Sequence, residues 1–192
     1  MNEHLEIEYK ILLTKDVFET ILKDYQNKIT KDYIQTNHYF THPLLEKKKY
    51  MLRIREKDNQ LEMTLKRPIN HYRLETNIMI SEKDMDKIIH QQPLSNEIID
   101  ILKKEHINPL ELINEFSLTT HRYDIQLDEG ILSLDHSTYL NQEDYELEFE
   151  VYNEKEGFYC FLELIKPYSL SYSQNCLSKI QRVLKAKANM IS

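Results

Sequence analysis

The stretch Glu6-Ile7-Glu8-Tyr9-Lys10 carries the strongest structural signal in this chain, because charged and apolar side chains alternate along it. Successive side chains of a β-strand point to opposite faces, so the alternation predicts a strand with Glu6, Glu8 and Lys10 on one face. Two neighbouring carboxylates repel one another unless a cation lies between them, which favours a metal-binding strand. Taken alone, such a stretch is more typical of a solvated sheet edge, which also carries Glu and Lys.

The same alternation recurs along the chain, and several of the polar faces carry mainly one sign of charge. Both arginines of Met51–Arg55 share a face, as do the three glutamates of Glu146–Val151. A solvated sheet normally mixes signs, since like charges beside one another cost stability. Acidic clusters suit Mg²⁺ or Mn²⁺, and clustered Arg and Lys suit a phosphorylated anion that the metal can bridge to the acids. The remaining polar faces are Glu62, Thr64 and Lys66; Arg73, Glu75 and Asn77; Arg122, Asp124, Gln126 and Asp128; and Ser133 with Asp135.

The order of elements predicts an α+β fold in a single domain over residues 1–192. If the sheet closes with its polar face inward, the acidic and basic clusters line one lumen and the helices cover the apolar outside. We therefore expect a closed eight-stranded antiparallel β-barrel with a polar charged lumen. Strands are expected over the opening stretch and near 33–41, 50–57, 60–67, 71–80, 116–128, 131–138 and 146–151, and helices over 14–27, from 81 to Pro93, around 98–102, over 156–166 and over 174–188.

The composition argues against several classes of protein. A net charge of −7 argues against general nucleic-acid binding, and the chain has no run of 18 apolar residues that would predict a membrane span. Only two glycines are present, and no glycine-rich phosphate loop is among the motifs. The opening MNEHLEIEYK does not resemble a secretory signal, and Cys160 and Cys176 are interpreted as reduced thiols. We therefore expect a cytoplasmic protein.

The chain resembles the CYTH branch of the triphosphate tunnel metalloenzymes in an ordered set of motifs: EIEYK, YFTH, LRIR, EMTLKRP, RLE, TTHR, LSLD, YELEFE and SKIQR. The resemblance extends from Glu6 to Arg182 and keeps the family's approximate spacing. It implies a divalent-metal-dependent triphosphatase that acts on inorganic tripolyphosphate or a similarly small triphosphate. One departure is that the strand usually ending in Tyr-Phe-Asp-Thr here ends in Thr41 and His42, so an acid common at that point is missing.

The resemblance and the charges together imply roles for the charged residues. Mg²⁺ or Mn²⁺ would neutralise the terminal phosphoryl group and orient a water for in-line attack, with a carboxylate positioning that water. The expected catalytic residues are Glu148, Glu62 and Lys66; the expected metal ligands are Glu6, Glu8, Asp135, Glu146, Glu148 and Glu150; and the expected phosphate-binding residues are Lys10, Arg53, Arg55, Lys66, Arg73, Arg122, Lys179 and Arg182.

Several alternatives stay open at this stage. The same acids and bases would serve a class IV adenylate cyclase or a thiamine or nucleoside triphosphatase, and a non-catalytic polyphosphate- or nucleotide-binding module is a further possibility. Glu62 and Glu75 could simply pair with Lys66 and Arg73 across the sheet, and Glu150 could lie at the rim. Lys47-Lys48-Lys49 is expected in an exposed loop. Beyond a small triphosphate we expect no membrane partner, and the protein is expected to be a monomer or a homodimer.

Overall fold

The computed structural model describes residues 2–70 and 72–191, and the side chains of residues 2–4 and 191 fall outside that description. The strands are β1 (Asn2–Glu6), β2 (Glu8–Leu13), β3 (Ile29–Thr41), β4 (Met51–Lys57), β5 (Gln60–Ile69), β6 (Tyr72–Ile80), β7 (Ile113–Leu127), β8 (Gly130–Tyr139) and β9 (Gln142–Val151). The helices are α1 (Lys15–Tyr25), α2 (Pro43–Lys48), α3 (Glu82–Ile89), α4 (Glu97–Lys104), α5 (Glu154–Ile165) and α6 (Lys179–Ile191). No helix within the described ranges is long and apolar enough to cross a membrane.

The strands form one hydrogen-bonded sheet in the order β1-β6-β5-β4-β3-β7-β8-β9-β2. The neighbours β1–β6, β6–β5, β5–β4, β4–β3, β7–β8, β8–β9 and β9–β2 pair antiparallel. Every strand expected after the first is present with its ends within four residues of the prediction. His71, the first residue of the strand expected over 71–80, lies outside the described residues.

Contacts divide the chain into two compact units. Unit 1 comprises Met1–Glu6 and Gln35–Leu118, and unit 2 comprises Ile7–Ile34 and Thr119–Ser192. The predicted opening strand is interrupted at Ile7, so that β1 pairs with β6 and β2 pairs with β9. The described chain therefore has nine strands where eight were expected. The single domain over residues 1–192 stays a prediction.

The core of unit 1 lies on the apolar face of its strands. Alternation places Leu52 and Ile54 of β4 on the face opposite the arginines, where both are fully buried. The amphipathic helix α4 contributes its own buried stripe to the same cluster, as its spacing predicts. The fully buried members of this cluster are Leu52, Ile54, Met63, Leu65, Ile98, Ile99 and Leu102.

The core of unit 2 is built in the same way from β2, β7, β8 and β9. Leu147 and Phe149 alternate with the glutamates of β9 and are buried, and α1 and α5 pack on them through Ile21 and Phe161. Each unit therefore keeps one face of its strands for packing and leaves the other face to charged residues. Cys160 and Cys176 are free thiols, in agreement with the reduced state expected for them.

The helix starts follow the capping residues in the sequence, with two exceptions. Thr14 caps α1 and Ser81 forms a capping box with Asp84 at the start of α3. The short helix α2 was not predicted; its N-cap is His42, whose Nδ1 accepts a hydrogen bond from the Leu44 amide at 3.1 Å.

The second exception is the last helix. It starts at Lys179 rather than at 174, because Asn175 and Cys176 form hydrogen bonds with β2 before the helix begins. The lysine run at 47–49 was also misplaced, since Lys47 and Lys48 form the last turn of α2 and only Lys49 leaves the helix, with a left-handed φ of 57°. Lys48 forms an ion pair with Glu105 at 2.7 Å.

Both glycines are required for space rather than for an unusual backbone angle. A Cβ on Gly157 would lie 2.4 Å from Cβ of Val151, where α5 crosses β9. A Cβ on Gly130 would lie 2.1 Å from the backbone oxygen of Glu150. Because neither position carries a side chain, α5 and the β7–β8 turn can approach β9 this closely.

We predict that Gly157→Ala lowers the free energy of unfolding by about 1–3 kcal/mol, because the new methyl group overpacks against Val151. Val151→Ala in the same chain should recover part of that loss. Gly130→Ala should cost more and should not be recovered, because its obstacle is backbone. Urea unfolding of the three variants and the wild type measures these differences, and equal losses for Gly157→Ala with and without Val151→Ala would contradict the prediction.

Candidate functional site

Three carboxylates meet on the polar face of β8 and β9 in unit 2. The antiparallel register places Asp135 directly opposite Glu146, and Glu148 lies two residues further along the same face of β9. Asp135 and Glu146 are fully buried, and the side chain of Glu148 is 15% exposed. Buried carboxylates destabilise a fold unless they are paired, so the cations around them define this site.

Lys179, the first residue of α6, is bonded to all three carboxylates. Its Nζ lies 2.7 Å from Asp135 Oδ2, 2.7 Å from Glu148 Oε1 and 3.2 Å from Glu146 Oε2. The ammonium therefore occupies a cation position between the three acids. From the sequence alone, a solvated helix surface was an alternative position for this lysine.

Arg122 of β7 is the second cation of the cluster. It lies opposite Asp135 in the β7–β8 register and forms a two-pronged bond with it, with Nε 2.7 Å from Oδ1 and Nη2 2.6 Å from Oδ2. Its Nη2 also donates to Glu148. The planar fork of arginine matches the two oxygens of a carboxylate, which makes this the most directional contact in the cluster.

Lys10 of β2 joins the same face. It lies opposite Glu148 in the β2–β9 register, and its ammonium donates to Glu8. Glu8 lies opposite Glu150, which is exposed at the end of its strand. Among the metal ligands expected in unit 2, Asp135, Glu146 and Glu148 lie together. Glu8 lies on the neighbouring strand β2, bonded to Lys10, and Glu150 is exposed at the end of β9.

The charges shift the pKa values of these groups in opposite directions. Burial raises the pKa of Glu146 to about 7. The cations Lys179 and Arg182 lower this pKa, and the negative charge of Glu148 raises it further. Burial acts in the same direction on Glu148, but Lys179 and Arg122 outweigh it and hold the pKa of Glu148 well below its usual range. Two interacting carboxyl groups commonly separate in this way, so that Glu148 stays ionised while Glu146 can exchange a proton near neutral pH.

One residue of this face, Asp144, was missed in the sequence. Asp144 of β9 binds Arg182 of α6 with its two oxygens, at 2.7 Å to Nε and 3.1 Å to Nη2, and accepts a hydrogen bond from the Tyr139 hydroxyl at 2.7 Å. Arg182 also binds Glu146. Asp144 could have been found, because it extends the alternation of Glu146 and Glu148 by one step toward the N-terminus of the strand.

The polar face of unit 1 carries a second set of paired charges. Lys66 of β5 binds Glu6 of β1 and lies 2.7 Å from Glu75 Oε2 of β6. Glu75 in turn accepts a hydrogen bond from Asn77 Nδ2 at 3.2 Å. The pairing of Glu75 with Lys66 was one of the alternatives left open by the sequence, and the structure confirms it.

Arg53 is the buried cation of unit 1 with unused hydrogen-bonding capacity. The residue is 8% exposed, its Nη2 is 3.6 Å from Glu75 Oε1, and its Nε has no hydrogen-bond partner among the described residues. A buried donor without a partner is costly. Arg53 is therefore suited to an anionic ligand.

The other residues expected in unit 1 take different positions. Arg55 donates to Asn37 Oδ1 at 3.2 Å and lies opposite Glu62 in the β4–β5 register. Arg73 Nη1 donates to the carbonyl oxygen of Lys49 at 2.8 Å. The structure thus brings Glu6, Lys66 and Arg53 to Glu75, and it turns Arg73 toward the end of α2.

The donor set of unit 2 fits a hard divalent cation in its chemistry. Asp135, Glu146 and Glu148 offer only carboxylate oxygens, which Mg²⁺ and Mn²⁺ prefer, and they already surround one positive charge. The oxygens stand at 2.7–3.2 Å from Lys179 Nζ, whereas Mg²⁺ binds oxygen at about 2.1 Å. Among the side chains of residues 5–70 and 72–190, no three Asp, Glu, His or Cys groups stand close enough to bind one metal ion directly, and Asp135, Glu146 and Glu148 share the Lys179 ammonium instead.

Residues 4–181 match the family model of the CYTH domain, which is most of the chain. The chain belongs to the CYTH domain family. This CYTH domain is 34% identical, over 194 residues and the whole of both chains, to YjbK of Bacillus subtilis strain 168, whose name gives triphosphatase as a proposed activity.

Solved structures show the same fold. A Bacillus halodurans protein described as a proposed adenylate cyclase is 36% identical to this CYTH domain, with a TM-score of 0.87 over 95% of this chain and 98% of its own. HpAC1 from Hippeastrum, described as having a dominant triphosphatase activity, is 19% identical, with a TM-score of 0.77 over 94% and 96% of the two chains, and supports the fold alone. The predicted fold class, an antiparallel β-barrel fold with helices on its outside, is thereby confirmed, with nine strands rather than eight.

We predict that Glu75→Gln removes a pH-dependent part of the stability of this CYTH domain. Burial alone would raise the pKa of Glu75, but Lys66 and Arg53 lower it from 4.5 to about 2. Because the folded pKa lies below the unfolded one, the stabilisation is fully present above pH 4.5 and is lost as the pH falls to 2. The shift corresponds to at most about 3 kcal/mol.

Urea unfolding of the wild type and Glu75→Gln at pH 7, 4 and 2.5 measures this contribution. The difference between the two proteins should be largest at pH 7 and should shrink at pH 2.5. Glu163→Gln is the control, since the Glu163 side chain is 73% exposed. A difference that is the same at all three pH values would contradict the prediction.

Proposed function

We propose that this CYTH domain is a triphosphatase that hydrolyses the terminal phosphate of a small triphosphate, with inorganic tripolyphosphate as the preferred substrate. The observation that carries the proposal is the convergence of Asp135, Glu146 and Glu148 on one cation position, with Arg122 and Lys10 beside them. Membership of the family and the B. subtilis relative support the same activity. A site of this charge pattern recognises phosphate and needs no group that reads a base or a sugar.

Asp135, Glu146 and Glu148 would hold the divalent metal, with Glu8 of the neighbouring strand as a further ligand. Mg²⁺ or Mn²⁺ is proposed because all of these ligands are carboxylate oxygens. When bound, the metal supplies charge neutralisation at the terminal phosphoryl group. Glu6 is assigned to unit 1, where it pairs with Lys66, and its predicted role as a metal ligand stays a prediction.

The basic residues would bind and orient the phosphates. In unit 1, Arg53 supports this role best, since it is buried and its Nε lacks a partner among the described residues. Arg55 and Lys66 lie on the same face of neighbouring strands, and Lys10 and Arg122 serve in unit 2. Binding a phosphate would replace contacts that these cations now make with carboxylates or amides.

Glu148 is the residue proposed to position the attacking water. Lys179 and Arg122 hold its pKa well below the usual range although burial opposes them, so its carboxylate oxygens accept hydrogen bonds at neutral pH. Glu62 of β5, the other candidate, lies opposite Arg55 of β4, and its predicted catalytic role stays a prediction. The predicted cytoplasmic location and the monomeric or homodimeric state stay predictions.

We predict that Glu148→Gln and Glu8→Ala each lower kcat/KM for tripolyphosphate, Glu148→Gln by about 100-fold or more, because each removes a carboxylate from the site. Phosphate release from tripolyphosphate, ATP and thiamine triphosphate is measured with Mg²⁺, Mn²⁺ or EDTA. Glu143→Gln is the matched control: it lies on the same strand but faces the other side, bonded to His136 at 2.8 Å. The wild type should turn over tripolyphosphate fastest and only with metal.

A class IV adenylate cyclase is the second candidate, favoured by the 36% identity to the B. halodurans protein described as a proposed cyclase. The same assay with ATP distinguishes the two, because a cyclase releases pyrophosphate and cyclic AMP whereas a triphosphatase releases orthophosphate. If no substrate is turned over but calorimetry shows tripolyphosphate binding, the protein is a binding module and the triphosphatase proposal is wrong.

A further inference from the structure

The start of α6 is fixed by the sequence immediately before it. Ser178 and Gln181 form a reciprocal cap: the Ser178 amide donates to Gln181 Oε1 at 3.0 Å, and the Gln181 amide donates to Ser178 Oγ at 3.5 Å. The first helical bond runs from the Arg182 amide to the Ser178 carbonyl at 3.0 Å. The cap sets the phase of the helix, so that Lys179 and Arg182, three residues apart, lie on one side of it.

Arg182 attaches this first turn to β9. Its guanidinium uses Nε and Nη2 on Asp144, Nη2 again on Glu146, and Nη1 on the Leu177 carbonyl at 2.6 Å. The residue is 7% exposed. Every nitrogen of the guanidinium therefore has a protein partner, which makes Arg182 an attachment of α6 rather than a donor available to phosphate.

Asp144 is the partner that determines where Arg182 lies. Its two oxygens accept hydrogen bonds from two nitrogens of the Arg182 guanidinium. The hydroxyl of Tyr139, on the neighbouring strand β8, donates to one of these oxygens at 2.7 Å. Glu146 is shared with Lys179, so it cannot orient the arginine by itself. A bond made through both oxygens fixes direction as well as distance.

A second attachment holds the segment before the helix. The Asn175 side chain accepts from the Lys10 amide at 2.8 Å and donates to the Glu8 carbonyl at 2.9 Å, along the edge of β2. This attachment is made to backbone and lies four residues before Lys179. It fixes the segment to β2 but does not set the side of α6 that faces β9.

We infer that Asp144 is a positioning residue of the candidate site: by binding Arg182 with both oxygens it orients the first turn of α6 and so holds Lys179 Nζ among Asp135, Glu146 and Glu148. The inference rests on the proposed function for its importance, since Lys179 belongs to the residues that the sequence predicts to bind phosphate. It reassigns Arg182, expected at the phosphates, to the attachment of the helix.

The test measures how accessible the Lys179 amine is, without any turnover. Wild type and Asp144→Asn are labelled with trace acetic anhydride, and peptide mass spectrometry gives the rate at each lysine. Lys10 is the internal control, because it lies in the same charged cluster but on β2, and Lys166, whose side chain is 72% exposed, is the accessible reference. Asp144→Asn should raise the labelling of Lys179 about tenfold while that of Lys10 changes less than about twofold, since the loosening is local to α6.

Three further variants decide between positioning and general stability. Asp144→Glu keeps a two-oxygen partner for Arg182 and should restore most of the protection of Lys179. Arg182→Lys keeps the charge but loses the fork, so it should release Lys179 as Asp144→Asn does, and it carries the test if Asp144→Asn does not fold. Asn175→Ala should release Lys179 less than Asp144→Asn does.

The inference is overturned if Lys179 labels at the wild-type rate in both Asp144→Asn and Arg182→Lys, or if Lys10 rises together with Lys179 in both. It is also overturned if Asn175→Ala alone releases Lys179. Steady-state turnover of tripolyphosphate gives a separate arm, in which Asp144→Asn should raise KM more than it lowers kcat. If the wild type shows no turnover, the proposed function fails while the labelling result still decides the role of Asp144.

Discussion

The pairing of buried carboxylates with cations is the constraint on which this structure depends. Asp135 and Glu146 are fully removed from water, and an ionised group in such a position is tolerated only when it is bonded to opposite charge. Arg122 from β7 and Lys179 from α6 meet that requirement from two separate parts of unit 2. The last helix is therefore part of the charged cluster and not only a covering element, because the acids of β8 and β9 draw its first turn onto the sheet.

The two units satisfy the same constraint in different degrees. In unit 2 the buried carboxyl groups lie close together, so the pKa values of Glu146 and Glu148 are shifted in opposite directions, and their oxygens suit an added cation. In unit 1 the buried guanidinium of Arg53 is bound only loosely by Glu75, which suits an added anion.

Much of the fold could be predicted, because the signals for it are local. Leu52 and Ile54 against Arg53, or Leu147 and Phe149 against Glu148, show the two-residue period of a strand directly. Helix caps at Thr14 and Ser81 are equally local. The predictions failed where a local signal was weak or ambiguous: His42 as the cap of α2, the break at Ile7, and the segment before Lys179, which bonds to β2 through Asn175 and Cys176 instead of forming helix.

By itself, the sequence determined which side chains share a face, since that depends only on the pleat of the strand, and thereby which residue types are available for metal and phosphate. Only the tertiary structure decided which acid meets which cation. Glu6 binds Lys66 while Glu8 binds Lys10, although the two glutamates are two residues apart in the chain. Arg182 binds Asp144 because the capped turn of α6 aims it there, and Glu150 lies at an exposed strand end despite its place in the Glu-x-Glu series. Such pairings follow from strand register and from the placement of a distant helix, whereas a two-residue period fixes only the face of each side chain and not the residue that lies opposite it.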